Sequence, residues 1–394
     1  MANNPYLKLS RRYFEAGRLA SVHLDLTYRC DLNCVHCYLD DRTRPGPNTQ
    51  VWLDVIDDLA RMGVFGITLS GGEVFLRKDI WTLLERLKSH RFYVRLKTHG
   101  MKIDAAFAQK LRDHSVHGID LSLYSLEPGP HDAIVRRKGA QVRTRAAIDH
   151  LLAVGIDVRV NNVVMEANRD GHRELHAEMR KKGVLSSYTG KIRGFQSGGT
   201  DVYSVGLCIS DLIKIEADHL KDHAADTPAE VKQKFSPEPH HEAIQCGAGN
   251  FNLYVDPDGN VTPCVTWPMT LGNIQDQSIS EIWETSRELE QIKQLRQSDR
   301  KGCYGCSYRQ GCSYCPGMAY IETGDATGPA EALCRTAQAR AMAQKQMHLG
   351  GPERRSFFPI AKQKSNAQRA KELEAILADN SDCGETNHAC ASCS

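Results

Sequence analysis

An α/β chain built as an open, partial (β/α)6 barrel is predicted by two observations. Between Ser21 and about Ile192, apolar strand-like runs alternate with amphipathic stretches, the pattern of a parallel sheet with helical crossovers. The alternation repeats six times at roughly 30 residues per unit, and six units are too few to close an eight-fold barrel. A cysteine-rich second region follows.

Each element can be read in order. Ser21–Thr27 (SVHLDLT) is strand-like and carries a cysteine loop at its carboxyl end. Val51–Met62 reads as a helix and Val64–Ser70 as the second strand; Asp79–Ser89 and Phe92–Thr98 repeat the pair. Ala105–Asp113 is helical before a strand at Gly118–Leu123. Val142–Val154 is a helix stopped by Gly155, a C-cap residue, and Ile156–Val164 is the fifth strand. Arg173–Lys182 and Val184–Ile192 complete the sixth unit. The organisation expected is an extension at 1–20, the barrel at 21–193, a linker with a helix at 194–245, a second domain at 246–350, and a tail at 351–394. That tail holds a helix at Ala367–Leu377.

Composition excludes several classes. Lys and Arg total 50 against 48 Asp and Glu, a formal charge of +2, so no nucleic-acid partner is expected. The first twenty residues lack the apolar core of a signal peptide. No run approaches the roughly 18 apolar residues of a membrane span. A cytoplasmic protein is expected. Fourteen cysteines would be out of place as disulfides in a reducing compartment. Three lie at 30–37, seven between 246 and 334 and three in the last twelve residues, with Cys208 alone; such clustering reads as metal thiolates.

Cys30-Asp-Leu-Asn-Cys34-Val-His-Cys37 supplies three thiolates directly after the first strand. A cubane iron–sulfur cluster takes four cysteinates, so a three-cysteine loop leaves one iron open for chemistry; a zinc loop is the alternative on spacing alone. Ser70-Gly71-Gly72-Glu73 ends the second strand. Its glycines let backbone approach a ligand closely, and its carboxylate can accept bonds from an ammonium; an ordinary βα turn is the plain alternative.

Together these segments resemble the CxxxCxxC loop and GGE motif of the radical S-adenosylmethionine (radical SAM) enzymes. The resemblance implies a 4Fe-4S cluster on Cys30, Cys34 and Cys37, with SAM chelated to its open iron and the SAM amino group bound by the Ser70–Glu73 segment. It also implies reductive cleavage of SAM to a 5′-deoxyadenosyl radical that abstracts hydrogen from carbon. Further positions resemble the family more loosely. Thr98-His99-Gly100 stands where relatives often show Thr-Asn-Gly, so no side-chain role carries over to His99. Ser122 and Ser125, Asn161 and Asn162 are candidates for the ribose or methionine portion, and Arg136 and Arg137 for the SAM carboxylate. His36 and Tyr38 flank the last loop cysteine near the adenine position. For each of these, a capping bond or a solvated charge is the competing reading.

The second region adds the other specific pattern. Cys246 is followed after twelve residues by Gly259 and four residues on by Cys264; then come Cys303-x2-Cys306-x5-Cys312-x2-Cys315 and Cys334. Asp256-Pro-Asp-Gly259 is a tight turn, so Asn252–Val255 and Val261–Cys264 can pair as a hairpin that places Cys264. Taken alone, Cys303–Cys315 also reads as a zinc ribbon. The whole pattern resembles the SPASM extension, departing by one residue between Cys312 and Cys315. That resemblance implies two auxiliary 4Fe-4S clusters, three clusters in all. Cys303, Cys306, Cys312 and Cys334 would hold the distal one; Cys246, Cys264 and Cys315 would hold the proximal one and leave a position open. Cys208 reads as a buried small hydrophobe, with an eighth ligand as the alternative. Cys383, Cys390 and Cys393 belong either to a free tail, to a segment that donates a ligand, or to a substrate-like segment held in cis.

SPASM enzymes chiefly modify peptides, and the Tyr124–His131 and Cys315-Pro-Gly segments look most like peptide maturases. The expected activity is maturation of a ribosomally synthesised peptide by a C–C or C–S cross-link. Val265 stands where the sulfatase-maturing branch has an acidic residue, which argues against that chemistry. The short extension before the first strand leaves no room for a leader-binding domain, so a separate leader-binding protein or docking on the SPASM surface is expected. An external donor of flavodoxin or ferredoxin type would supply electrons. A small-molecule substrate such as a tetrapyrrole side chain is the alternative, and a non-enzymatic zinc module the remote one.

Overall fold

The computed structural model describes residues 9, 12–39, 41–195, 199–226, 246–303 and 306–349. The helix expected at Ala367–Leu377 and the cysteines Cys383, Cys390 and Cys393 lie outside the described residues. Six strands run in chain order: β1 (Ser21–Asp25), β2 (Gly66–Ser70), β3 (Tyr93–Thr98), β4 (Val116–Ser122), β5 (Asp157–Val163) and β6 (Leu185–Thr189). Each pairs in parallel with the next.

The sheet continues where the sequence reading separated two domains. β7 (Asn252–Val255) pairs in parallel with the free side of β1, Leu24 opposite Val255. β8 (Asn260–Thr262) and β9 (Gly272–Asn273) follow antiparallel. The result is one nine-stranded sheet ordered β6-β5-β4-β3-β2-β1-β7-β8-β9. The expected hairpin is present, turned at Gly259 with φ +87°, but it extends the barrel sheet. Tyr254 explains the docking: its hydroxyl donates to Asp25 on β1 at 2.7 Å.

Strand alternation sets two different faces. Val22, Leu24, Ile67, Leu69, Val94, Leu96, Ile119, Leu121, Val158 and Val160 pack into the main core beneath the helices. The opposite, concave face carries His23, Asp25, Thr68, Ser70, Arg95, Lys97, Asp120, Ser122 and Asn161. Arg95 lies between Asp120 and Asp157 there, bonded to both, and Lys97 stands exposed. The concave face is therefore a polar lumen.

The helices follow their sequence signals. Thr49–Arg61 starts on an Asn48 side chain that accepts from Val51 N, and Ala105–Asp113 on an Asp104 that accepts from Phe107 N. Gly155, with φ +73°, ends Ala140–Ala153. Within the barrel, an unexpected helix, Pro128–Val135, begins with proline at its first turn and ends at Arg136 in the left-handed region. The linker helix is Ile209–Asp226. It lies against Glu331–Leu349, where Leu212, Ile213 and Ile215 meet Ala339 and Ala343 and Arg340 pairs with Glu216 at 2.7 Å.

Candidate active site

The cysteine loop leaves the carboxyl end of β1 and lies along the end of helix Pro128–Val135. Asn33 N donates to Val135 O at 3.2 Å, and Val35 N to Ile134 O at 3.0 Å. Every described cysteine is a free thiol. Burial pushes the thiols of Cys30 and Cys34 up to about 12, and the negative charge of neighbouring groups, Cys37 among them, adds to it. Thiols crowded in this way resist ionisation unless a cation joins them, which fits a metal cluster.

The two glycines pack against the segment that enters the cysteine loop. A Cβ on Gly71 would lie 2.4 Å from Thr27 O, and one on Gly72 would lie 2.3 Å from Arg29 O. Gly72 N donates to Thr27 O at 2.7 Å and Glu73 N to Arg29 O at 2.8 Å. Glycine here permits a close backbone approach to the segment entering the cysteine loop. Gly71, at φ +126°, adopts a conformation that favours glycine.

Glu73 is buried and receives Thr98 Oγ1 at 2.8 Å on each oxygen, Phe75 N at 3.1 Å and His99 N at 3.2 Å. His99 Nε2 lies 3.0 Å from Glu73 Oε2 and 2.8 Å from Asp31 Oδ1. Burial would lower the His99 pKa, but the Glu73 and Asp31 carboxylates override it and raise it to about 9. Burial likewise opposes charge on Glu73, and His99 with the Phe75 and Thr98 donors holds its carboxyl below the ordinary range. Arg137 Nη1 donates to both the carbonyl and the carboxylate of Asp31, each at 3.0 Å. The position left without a role by sequence is thus the centre of a charged chain from Arg137 through Asp31 and His99 to Glu73.

Other candidates have varied surroundings. His36 packs edge-on against Tyr124 at 4.9 Å; its Nδ1 is buried without a partner, and burial lowers its pKa to about 4. Asn162 is 2% exposed and accepts from Asn168 at 3.0 Å, while its Nδ2 is likewise unpartnered. Ser70 is buried and Ser122 partly exposed on the concave face. Ser125 Oγ accepts from Glu127 N at 3.0 Å, a capping bond. Cys208 sits half-buried at the start of the linker helix beside Ser210 at 3.1 Å and Asp211 at 3.5 Å. It is a polar contact at a helix end, and the reading of it as a buried hydrophobe is corrected.

The remaining thiols form two groups. Cys303, Cys306, Cys312 and Cys334 line one cavity of about 170 Å³. Burial raises the Cys312 thiol, while Lys191, Arg300 and Arg340 pull the other way. Cys246, Cys264 and Cys315 lie close enough to repel one another electrostatically. Burial raises Cys264 to about 11 and raises the Cys315 thiol as well, against the opposing pull of the Met318 and Gly317 amides at the start of helix Pro316–Thr323. Both groups offer the all-sulfur donor sets that iron–sulfur clusters require.

Between the first and third groups lies a network that sequence reading missed. Asp25, fully buried, accepts from Tyr38 at 3.1 Å and from Tyr254 at 2.7 Å, and His23 Nε2 lies 3.0 Å away. Arg193 stacks 3.4 Å above the Tyr38 ring and donates to Val265 O at 2.9 Å. Nothing local in the sequence marks Arg193 for this place. The ring face and hydroxyl of Tyr38, a candidate for SAM, are both engaged here.

Comparison with known proteins agrees with this geometry. Residues 24–179 match the radical SAM superfamily model and residues 246–307 the SPASM iron–sulfur cluster-binding domain. The chain is 29% identical over 317 residues to mycofactocin maturase MftC of Mycolicibacterium smegmatis, covering 76% of this chain and 79% of that one. It is 26% identical over 325 residues to the AdoMet-dependent heme synthase of Methanosarcina barkeri, covering 76% and 92%. Streptococcus suis SuiB, solved bound to precursor peptide SuiA, shares the fold with a TM-score of 0.62 at 16% identity, over 85% of this chain and 82% of SuiB. The chain carries a radical SAM superfamily domain over residues 24–179. More narrowly, it is a radical SAM enzyme with a SPASM domain, an oxidoreductase that works with SAM and iron–sulfur clusters; the zinc-module reading falls away. No helix among the described residues is long and apolar enough to cross a membrane.

Proposed function

We propose that this enzyme matures a ribosomally synthesised peptide by forming a C–C or C–S cross-link. Cys30, Cys34 and Cys37 would hold the SAM-binding cluster. Cys303, Cys306, Cys312 and Cys334 would hold the distal auxiliary cluster, and Cys246, Cys264 and Cys315 the proximal one. When bound, these groups supply a 5′-deoxyadenosyl radical that removes hydrogen from carbon and acceptors for a second electron. Glu73, Thr98, Arg137, Ser122, Asn162 and His36 would surround SAM. The chain's own part is to orient the substrate over the polar lumen and exclude water from it.

One observation carries this reading. Arg193 touches both Tyr38, next to Cys37, and Val265, next to Cys264, so one guanidinium joins the first and the proximal thiol loops beside the concave face. A substrate there can lose hydrogen on one side and an electron on the other, which is the two-electron balance of a cross-link. The peptide class is supported by the maturase relative and by the peptide bound in SuiB. Val265 in place of a carboxylate speaks against the sulfatase-maturing branch.

A small-molecule substrate such as a tetrapyrrole side chain is the second reading, supported by the heme synthase relative and by Lys97 exposed on the concave face. Anaerobic incubation of cluster-loaded enzyme with SAM, reductant and short peptides encoded beside its gene tests the two. Loss of two hydrogens from a peptide, read by mass, is expected. Reaction with a porphyrin carboxylate and none with any such peptide would sink the peptide reading. A flavodoxin- or ferredoxin-type donor and a separate leader-binding protein complete the proposed system.

A further inference from the structure

Charge on the concave face of the sheet is paired except at Lys97. Lys97 on β3 stands opposite Asp120 on β4, and Asp120 opposite Arg159 on β5, so the three share one row of that face. Asp120 is not the partner of the lysine. Arg95 holds it together with Asp157, and Arg159 Nε lies 3.7 Å from Asp157 as well. The remaining carboxylate, Asp25, accepts from Tyr38 and Tyr254 and lies 3.0 Å from His23. Exposed Lys97 has no ion pair or hydrogen bond among the described residues.

Its ammonium is nevertheless directed over the lumen. Burial lowers the His23 pKa, Asp25 opposes this, and the charge of Lys97 lowers it further. The field of Lys97 thus reaches from β3 across β2 to β1. An exposed ammonium is compensated by water. A substrate laid over the lumen displaces that water, and burying a charge without a countercharge is strongly unfavourable. The row has no carboxylate to lend, because Arg95 engages both Asp120 and Asp157. The occupant must bring its own anion.

We propose that Lys97 anchors a carboxylate of the substrate and selects substrates that carry one in the segment held over the lumen. Arg159, its side chain 46% exposed, stands on the other side of Asp120 as a second donor for the same group. This rests on the reading that the substrate lies over the lumen. A peptide offers the carboxylate from an Asp or Glu side chain or from its C-terminus. Lys97 binds substrate away from the reacting atoms and sets specificity.

The test is binding of the short peptide encoded beside the gene, measured by anaerobic calorimetry on cluster-loaded enzyme with SAM and no reductant. Three forms are compared: the native peptide, one with Asp and Glu replaced by Asn and Gln, and one with an amidated C-terminus. Loss of a charge-assisted bond should make Lys97→Met bind the native peptide about ten-fold more weakly or worse, and Lys97→Arg should restore most of the affinity. One of the two neutralised forms should bind the wild type as weakly and be indifferent to Lys97→Met, which names the source of the carboxylate. An equal effect on all three forms, or no effect, overturns the anchor and leaves the peptide reading intact. Weaker SAM binding by Lys97→Met with unchanged peptide affinity assigns the ammonium to SAM and also overturns the anchor. If no such peptide binds, coproporphyrin and its methyl ester replace it. Preference for the free acid that disappears in Lys97→Met upholds the anchor while the peptide reading falls. A preference untouched by Lys97→Met, no preference, or no binding overturns both.

Discussion

Arg193 lies 3.4 Å above the ring of Tyr38 while its Nη1 holds Val265 O at 2.9 Å. One guanidinium therefore spans the loop after Cys37 and the loop after Cys264. A desolvated cation–π contact is worth about 2 kcal/mol and a hydrogen bond about 1 kcal/mol. Arg193→Ala should cost about 2–3 kcal/mol of stability in denaturant melts. It should also leave SAM cleavage largely intact while less product forms per 5′-deoxyadenosine, as quantified by chromatography. Tight coupling in the variant would show that the strut has no part in guiding the reaction.

Gly72 packs its backbone where a Cβ would lie 2.3 Å from Arg29 O. Both contacting atoms are main chain, so neither can swing aside. Gly72→Ala should cost about 1–3 kcal/mol, the usual range for overpacking. It should also lower iron retention by the first cysteine loop. Iron assay and anaerobic melting of the variant measure both.

The His99 pKa is raised to about 9 in the folded protein, against about 6.5 in an unfolded chain. A raised pKa gives stability that is fully present below about 6.5 and is lost as pH rises through about 9. The melting temperature of the wild type should therefore fall between pH 7 and pH 9 more than that of His99→Asn. Parallel curves for the two proteins would remove His99 from the pH dependence.

Replacing Cys30, Cys34 and Cys37 together by Ala should abolish 5′-deoxyadenosine formation while auxiliary iron is retained. Replacing Cys303, Cys306, Cys312 and Cys334 should do the converse, sparing SAM cleavage and losing at least a third of the iron. Iron and sulfide analysis beside chromatography reads both. Full SAM cleavage in the first variant would refute the assignment of that loop.

Lys191 acts electrostatically on both Cys312 and Cys315, one from each auxiliary group. Nearby positive charge favours the reduced, more negative form of a cluster. Lys191→Met should shift the auxiliary midpoint potentials negative in an EPR-monitored titration, and Lys191→Arg should restore most of the shift. Potentials indifferent to both changes would place Lys191 outside that field.

The barrel strands and cysteine groups were legible because their signals are local: alternation along a strand, short gaps between thiols, Asp-Pro-Asp-Gly at a turn. Pro128–Val135 escaped because two prolines and a glycine in eight residues hide a helix whose first turn tolerates them. His99 escaped for another reason. Its partners Glu73 and Asp31 lie 26 and 68 residues away in sequence, and only the meeting of loops at the ends of β1, β2 and β3 joins them. The pairing of β7 with β1 spans about 230 residues, beyond what any periodicity can specify.

That pairing carries a consequence for the order in which the molecule assembles. β1 is the strand that presents Cys30, and its outer edge stays bare until Asn252–Val255 has been synthesised and docks against it. A chain ended before Cys246 would offer that edge to other chains, with Asp25 stripped of its Tyr254 donor. The first cysteine loop is therefore expected to mature late. A nascent chain could take up iron productively there only once the auxiliary half has arrived to close the sheet beside it.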